Sequence, residues 1–226
     1  MHKCPICEQE TAEFLPFGVS QRPNARCPKC GSLERHRMLW LFFEGQRYVN
    51  EIKNGNGRLI HFSPAQCLKD KFKATLGTKY LTADIIPGQD MAINMEDMHN
   101  LQDGLCRGII CSHVMEHIRD DAKAFRELYR ILEPGGWAVI IVPMLRGGAK
   151  TYENWEACDA GPNERRKHFG QRDHVRSYGP DVIDRIRLAG FSVDVIDFRE
   201  AMQNRGAVKY GLGSDLIHFC RKSKNG

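Results

Sequence analysis

The sequence has no run of eighteen or more apolar residues, the length a helix needs to span a bilayer. Its opening residues, MHKCPICEQE, lack the apolar segment of a secretory leader. These two absences set the expectation of a soluble, cytoplasmic protein without a membrane partner. No internal repeat or low-complexity segment is present, which excludes repeat architectures. Nine cysteines, an odd number, do not make an even disulfide framework in a chain of 226 residues. Four of them fall in metal-type pairs, so a reducing compartment is expected. Charge of one sign is in only modest excess: a net +5 with a pI near 8.7 is compatible with RNA or another anionic partner and identifies neither. A hydrophobic content of 42% over 226 residues supports one substantial core and a small appendage.

What is present is concentrated between Arg107 and Pro143, reading RGIICSHVMEHIRDDAKAFRELYRILEPGGWAVIIVP. Ile109, Ile110 and Cys111 form the short apolar run of a buried parallel strand. Ser112 and His113 follow where such a strand ends and polar groups face a ligand crevice. Asp120 or Asp121 caps a helix on which Phe125, Leu128, Tyr129 and Leu132 recur at helical spacing. Pro134-Gly135-Gly136 is expected to stop that helix before a strand over Trp137 to Val142. Elsewhere, the turn Asn54-Gly55-Asn56-Gly57 precedes a strand at Arg58 to Phe62, and Lys79 to Asp84 reads as a strand ending in a carboxylate. An amphipathic helix is expected from about Asp181 to Ala189, with strands at Phe191 to Phe198 and Leu216 to Arg221.

The second dense motif is the pair of C-x-x-C knuckles Cys4-Pro5-Ile6-Cys7 and Cys27-Pro28-Lys29-Cys30, separated by nineteen residues. Each knuckle presents two thiolates from a tight turn. Four thiolates close a tetrahedral shell with no open position, so the spacing points to structural zinc (Zn2+) that folds the module. A redox pair and an iron site compete with zinc, although no βαβ context surrounds either knuckle. The remaining cysteines, Cys67, Cys106, Cys111, Cys158 and Cys220, read as buried or incidental thiols. After the knuckles Gly31-Ser32-Leu33 opens a helix that runs through Phe43, with Leu33, Arg37, Trp40 and Leu41 available to dock on the main domain. Arg35, His36 and Arg37, with Arg22, Arg26 and Lys29, form a basic group that either touches nucleic-acid phosphates or is a solvated face.

The HVMEH and LYRILEPGGWAVIIVP stretches resemble the second half of class I S-adenosylmethionine (SAM) methyltransferases, the type 11 group. The segment Phe169 to Gly179, FGQRDHVRSYG, resembles a subgroup whose members also begin with paired cysteine knuckles, so the resemblance covers nearly the whole chain. It implies an α/β fold: a Rossmann-like class I methyltransferase sheet with helices on both faces, plus a small N-terminal zinc ribbon. The division expected is a ribbon at 1–31, a connecting helix at 32–56 and the main domain at 57–226. By the resemblance SAM is the cofactor, Asp84 takes both ribose hydroxyls, Asp97, with Glu96 adjacent as its competitor, lies beside the adenine amino group with Met98 flanking the ring, and Ser112 lies in the loop beside the cofactor. Where the family has a glycine-rich loop after the first strand, this chain has His61-Phe62-Ser63-Pro64-Ala65-Gln66. The loop is then expected to follow a different backbone path and to use the side chains of Ser63 or His61.

Methyl transfer is an in-line attack on a sulfonium, so much of the catalysis comes from positioning, and a base serves chiefly hydroxyl acceptors. His113 and His174 are the candidate bases, with Asp173 able to orient a neighbour. Tyr152, in the long connection Met144 to Gly170, and Arg176 and Tyr178 beyond it are the candidate acceptor-binding residues. His117, four residues after His113, raises a second metal site, for which no acidic third ligand is evident. The expected function is transfer of methyl from SAM to oxygen or nitrogen of a small molecule such as a metabolite, sugar or natural product. The alternatives are an RNA methyltransferase that uses the ribbon for recognition, and a non-catalytic binding protein on a degenerate fold. Oligomeric state is not readable.

Overall fold

The computed structural model describes residues 1–44, 47–145, 147–148, 150–203 and 205–224, leaving Gly45 and Gln46 of the expected connecting segment outside the described residues. The chain divides into two compact units. The first comprises Met1–Arg58, Pro64–Tyr80 and Ile196–Ile217, and the second comprises Leu59–Ser63, Leu81–Val195 and His218–Gly226.

In the first unit two small antiparallel hairpins, His2–Lys3 with Glu10–Thr11 and Leu15–Phe17 with Arg22–Arg26, carry the cysteine knuckles. Helix Glu34–Glu44 follows and buries Met38, Leu39, Trp40, Phe42 and Phe43. Edge-to-face ring pairs fill this unit: Trp40 and Phe43 meet Phe72 at centroid distances of 5.4 and 5.5 Å, and Phe42 meets Phe198 at 6.0 Å. Arg37, read both as a docking residue of this helix and as part of a basic group, is fully buried. Its guanidinium donates to the carbonyls of Ala25 (3.0 Å), Ser32 (2.7 Å), Tyr210 (2.7 Å) and Gly211 (2.5 Å) and lies 4.0 Å over the Phe14 ring. The helical periodicity places Arg37 on the buried face, where backbone acceptors satisfy its charge. Arg22 is likewise engaged, in a two-point pair with Glu34 at 3.1 and 3.3 Å.

The second unit is organised by a mixed seven-stranded sheet. Its strands are β1 (Leu59–Phe62), β2 (Tyr80–Asp84), β3 (Met91–Ala92), β4 (Cys106–Ser112), β5 (Leu132–Ile141), β6 (Ser192–Ile196) and β7 (Ile217–Arg221), in the order β6-β7-β5-β4-β1-β2-β3. β1 pairs parallel with β4, β4 with β5 and β2 with β3, while β7 runs antiparallel to β5. Ile60, Ile109, Cys111, Ala138 and Ile140 pack with Phe125 and Leu128 of helix Asp121–Ile131 and with Val182 and Ile186 of helix Val182–Leu188. The alternate residues Leu59, Ile110, Val139 and Ile141 are buried too, as strands buried on both faces require. The Asp120 side chain caps its helix by accepting from Lys123 N at 2.9 Å.

Pro134-Gly135-Gly136 does not stop the helix. The helix ends at Ile131 and β5 begins at Leu132, running through these three residues. The chains come too close there for a side chain: a Cβ on Gly136 would lie 2.8 Å from the Glu133 carbonyl oxygen and 3.0 Å from that of Arg107. The connection expected over Met144 to Gly170 contains two short helices, Trp155–Asp159 and Pro162–Phe169. Among the described residues no helix is long and apolar enough to cross a membrane.

Candidate functional site

The chain leaves β1 toward β2 and β3 on one side and returns to β4 on the other, so the β1–β4 boundary is the switch point of the sheet. Ligands of open α/β sheets bind in the crevice beyond the carboxyl ends of the strands at that point. Here both strands end in a non-glycine residue with left-handed backbone, Ser63 at φ +47° and His113 at φ +56°. Each costs on the order of 1–2 kcal/mol. Backbone hydrogen bonds hold both turns, Ser63 N to Ala83 O and His113 N to Ile141 O, each at 2.8 Å. Ser63 therefore adopts the left-handed conformation that a glycine would ordinarily supply after the first strand.

A cavity of about 570 Å³ opens there, within the usual range for small-molecule sites. Phe62 and Ser63 line it from the end of β1, and Asp84, Ile85 and Ile86 from the end of β2. Residues Ile93 to Glu96, then His113, Val114, His117, Ile118 and Arg119 from the loop after β4, and finally Asp173, complete the wall. The Asp84 carboxylate accepts from the Ser63 hydroxyl and, at 3.0 Å, from Ile86 N. A carboxylate has about four acceptor positions, so capacity remains for a diol. Ile85 and Ile86 are 68% and 69% exposed, an unusual state for two adjacent isoleucines and one that a planar ring in the cavity would relieve. Sequence reasoning did not single them out, although their place directly after Asp84 was a signal.

The other expected cofactor contacts lie elsewhere. His61 is buried within β1, where burial pushes its imidazole down to about 3, and it does not line the cavity. Asp97 is exposed and pairs with His99 at 2.8 Å, while Met98 is buried in the core, so Met95 and Glu96 occupy the wall in their place. A turn closed by Asp97 N to Asn94 O at 2.9 Å aims these neighbours differently from the sequence expectation. Ser112 ends β4 half-buried and does not line the cavity. Tyr152 is partly exposed with its hydroxyl 2.8 Å from His168 Nδ1, and it lines neither this cavity nor the depression that holds His174.

Arg176 and Tyr178, expected at the acceptor, are both fully buried and engaged by protein groups. Arg176 donates to Glu153 (2.9 Å) and to the carbonyls of Met115 (3.3 Å), Ile118 (2.5 Å) and Arg119 (2.8 Å). The Tyr178 hydroxyl donates to Asp121 at 2.8 Å. Val175 N donates to Glu116 O at 2.9 Å. The conspicuous segment Phe169 to Gly179 thus serves to clamp the loop after β4 onto the cavity.

That loop bears His113, Glu116 and His117. The Glu116 side chain is 1% exposed, 3.3 Å from His113 Nδ1 and 4.0 Å from His117 Nε2. Burial would raise its carboxyl, but the two imidazoles outweigh burial and hold it below its ordinary value. His117 turns Nδ1 toward Asp173, 3.2 Å from its carbonyl and 3.4 Å from its carboxylate. The His117 and His174 rings meet edge to face at 4.9 Å. Burial pushes the His174 imidazole down. His174 lines a second depression of about 280 Å³ together with Met144, Leu145 and Phe169.

In the first unit the four knuckle thiols converge, with Cys4 Sγ 3.6 Å from Cys30 Sγ and Cys7 Sγ 3.7 Å from Cys27 Sγ. A tetrahedral zinc tetrathiolate has sulfur edges of about 3.8 Å for bonds of about 2.3 Å. The cluster fits a small zinc site, and the Ser32 hydroxyl lies 3.3 Å from both Cys4 Sγ and Cys30 Sγ.

Comparison with known proteins bears on most of the chain. The profile of a family described as "Methyltransferase domain" matches residues 68–194, more than half of the chain. Among solved structures, a SAM-dependent methyltransferase from Archaeoglobus fulgidus is similar with a TM-score of 0.52 at 15% identity, over 84% of this chain and 97% of that one. A SAM-dependent methyltransferase from Mesorhizobium loti gives 0.50 at 15% identity, over 79% and 99%. The [4+2]-cyclase SpnF gives 0.54 at 14% identity, over 94% and 88%. At these identities the likeness shows the fold alone, and a cyclase on the same fold illustrates that fold does not fix the reaction. Comparison with curated proteins returned no match.

Proposed function

The chain belongs to the methyltransferase-domain family, and on that premise we propose that it transfers a methyl group from SAM to an oxygen or nitrogen atom of a small-molecule acceptor. The observation that carries the reading is Asp84, whose carboxylate faces the switch-point cavity from the end of β2 beside the left-handed turn at Ser63. Asp84 would take the ribose hydroxyls, Ser63 would hold that carboxylate in place, and the exposed Ile85 and Ile86 would cover the adenine ring. Met95 and Glu96, rather than Asp97 and Met98, would lie along its edge.

SAM supplies an electrophilic methyl group on a sulfonium. With SAM bound, an acceptor lone pair would take the methyl carbon as the carbon–sulfur bond breaks with its electron pair left on sulfur, and a base would take the acceptor proton. His113 and Asp173, in the cavity wall, and His174 beside His117 are the groups available to receive that proton. Val114 and Ile118 make part of the same wall apolar. Zinc held by Cys4, Cys7, Cys27 and Cys30 would fold the ribbon and take no part in transfer. Engagement of Arg22 by Glu34 and of Arg37 by backbone carbonyls favours a structural ribbon over one that reads RNA.

The test is methyl transfer from labelled SAM into a fractionated extract of the cell of origin, with and without ribonuclease, comparing wild type with Asp84→Ala. Label in small soluble compounds supports the reading, and label lost on ribonuclease treatment replaces the acceptor with RNA. In calorimetry Asp84→Ala should weaken SAM binding at least tenfold, on the order of 1.4 kcal/mol. Unchanged affinity would remove Asp84 from the site.

A further inference from the structure

We propose that Glu116, His117 and His174 form a binding site for a divalent transition-metal cation beside the cavity, distinct from the four-cysteine cluster. One donor atom from each of the three lies within 4.8 Å of the others, a separation that one ion can bridge with bonds of about 2.0–2.2 Å. A second, independent observation points to a ligand. Both Glu116 carboxylate oxygens are buried, and among the described residues neither accepts a hydrogen bond of good geometry. The His113 imidazole, 3.3 Å from one oxygen, offsets part of the cost of burying that charge, and a cation would compensate the other oxygen as well.

The surroundings are built as a metal's outer partners are. Ligating imidazoles usually donate their second ring nitrogen to a carbonyl or carboxylate, which turns the first toward the ion. His117 does this: Nδ1 lies 3.2 Å from the Asp173 carbonyl, leaving Nε2 4.0 Å from Glu116 Oε1. The backbone bond from Val175 N to Glu116 O, at 2.9 Å, and the Arg176 clamp on Met115, Ile118 and Arg119 fix His174 against the loop. The bland alternative, a buried ion pair between His113 and Glu116, accounts for one oxygen at 3.3 Å and leaves His174 without a reason to be there.

Two imidazoles and a carboxylate suit Zn2+, Fe2+ or Mn2+ better than Mg2+ or Ca2+, which prefer all-oxygen shells. Such a set leaves coordination positions open for water or an oxygen of a bound molecule. His117 also lines the cavity, so those positions adjoin the proposed acceptor space. The assignment makes His174 a ligand and leaves His113 as the base on that side. Metal binding itself does not depend on the methyl-transfer reading.

The test uses the full chain, dialysed to equilibrium against buffered free Zn2+ and assayed for metal per chain. Wild type should hold two zinc ions, one in the ribbon and one at Glu116, while Glu116→Gln and His174→Ala should each hold one with unchanged circular dichroism. Cobalt substitution separates the sites, because the ribbon ion gives sulfur charge-transfer bands and the second gives only weak d–d bands, which both variants should lose. One ion per chain in wild type overturns the proposal, as do two ions in all three proteins. His174→Ala, at a half-buried position, keeps the test open if Glu116→Gln fails to fold.

Discussion

The cysteine cluster of the ribbon and the Glu116 loop each bring metal-capable side chains within 4.8 Å, but they differ in what closes around them. The four thiols gather with Cys4 3.6 Å from Cys30 and Cys7 3.7 Å from Cys27, with Ser32 against two of them and the Arg37 guanidinium tying the Ala25 and Ser32 carbonyls together. That shell has no free position. Among the described residues the Glu116 set has three donors, a buried carboxylate whose nearest charged neighbour is His113 at 3.3 Å, and a cavity wall on one side. Closure marks a group that holds the fold, whereas an incomplete, buried polar set held rigid by other residues marks a group that meets a ligand.

The contrast can be broken in order of effect. Cys27→Ser should cause the largest loss, since removing one thiolate forfeits much of the roughly 10–16 kcal/mol that structural zinc supplies to such modules. Hydrogen exchange should show the first unit unprotected while β4 and β5 stay protected, and full protection of the ribbon would mean that its fold does not need the ion. Next, Arg176→Ala should lower stability by about 3–5 kcal/mol in urea, because it leaves three loop carbonyls without their buried donor while Glu153 keeps only Arg185 at 3.0 Å. A mild effect would show the loop to be held by other contacts.

Smaller effects sharpen the same line at the cavity. At φ +47° a β-branched side chain is strained and a glycine is not, so Ser63→Val should be about 1–2 kcal/mol less stable than Ser63→Gly by thermal melting. Equal melting temperatures would mean that the turn relaxes to negative φ. Smallest of all, Glu116→Gln in protein holding one zinc ion per chain should lower stability by only about 1 kcal/mol in thermal melting, since the amide keeps the shape of the side chain and loses the attraction of the His113 and His117 imidazoles. A fall several times larger would make Glu116 a structural anchor and erase the difference between the clusters.

Much of the frame was legible from local pattern. The apolar run at Ile109 to Cys111, the strand ending in Asp84 and the capping residue Asp120 are set by neighbours in sequence, and each falls where the pattern put it. The paired knuckles announce their convergence through spacing alone. The polar residues were far less legible. Arg176, Tyr178 and Arg37 carry the same chemistry whether they bind a ligand or brace a loop, and only their depth decides between the two. Asp97 and Met98 missed the cavity by one and two positions, a shift that one turn produces and composition does not record.

By itself the sequence determined the alternation of strands and helices, the metal-type knuckles and the carboxylate after the second strand, because these follow from periodicity and spacing along the chain. The tertiary structure alone decided that Ser63 turns left-handed in place of glycine, that Arg176 braces the loop from some sixty residues away, and that Glu116 meets His174. Those outcomes depend on which distant groups share a desolvated space, where a polar atom must find a partner or a ligand.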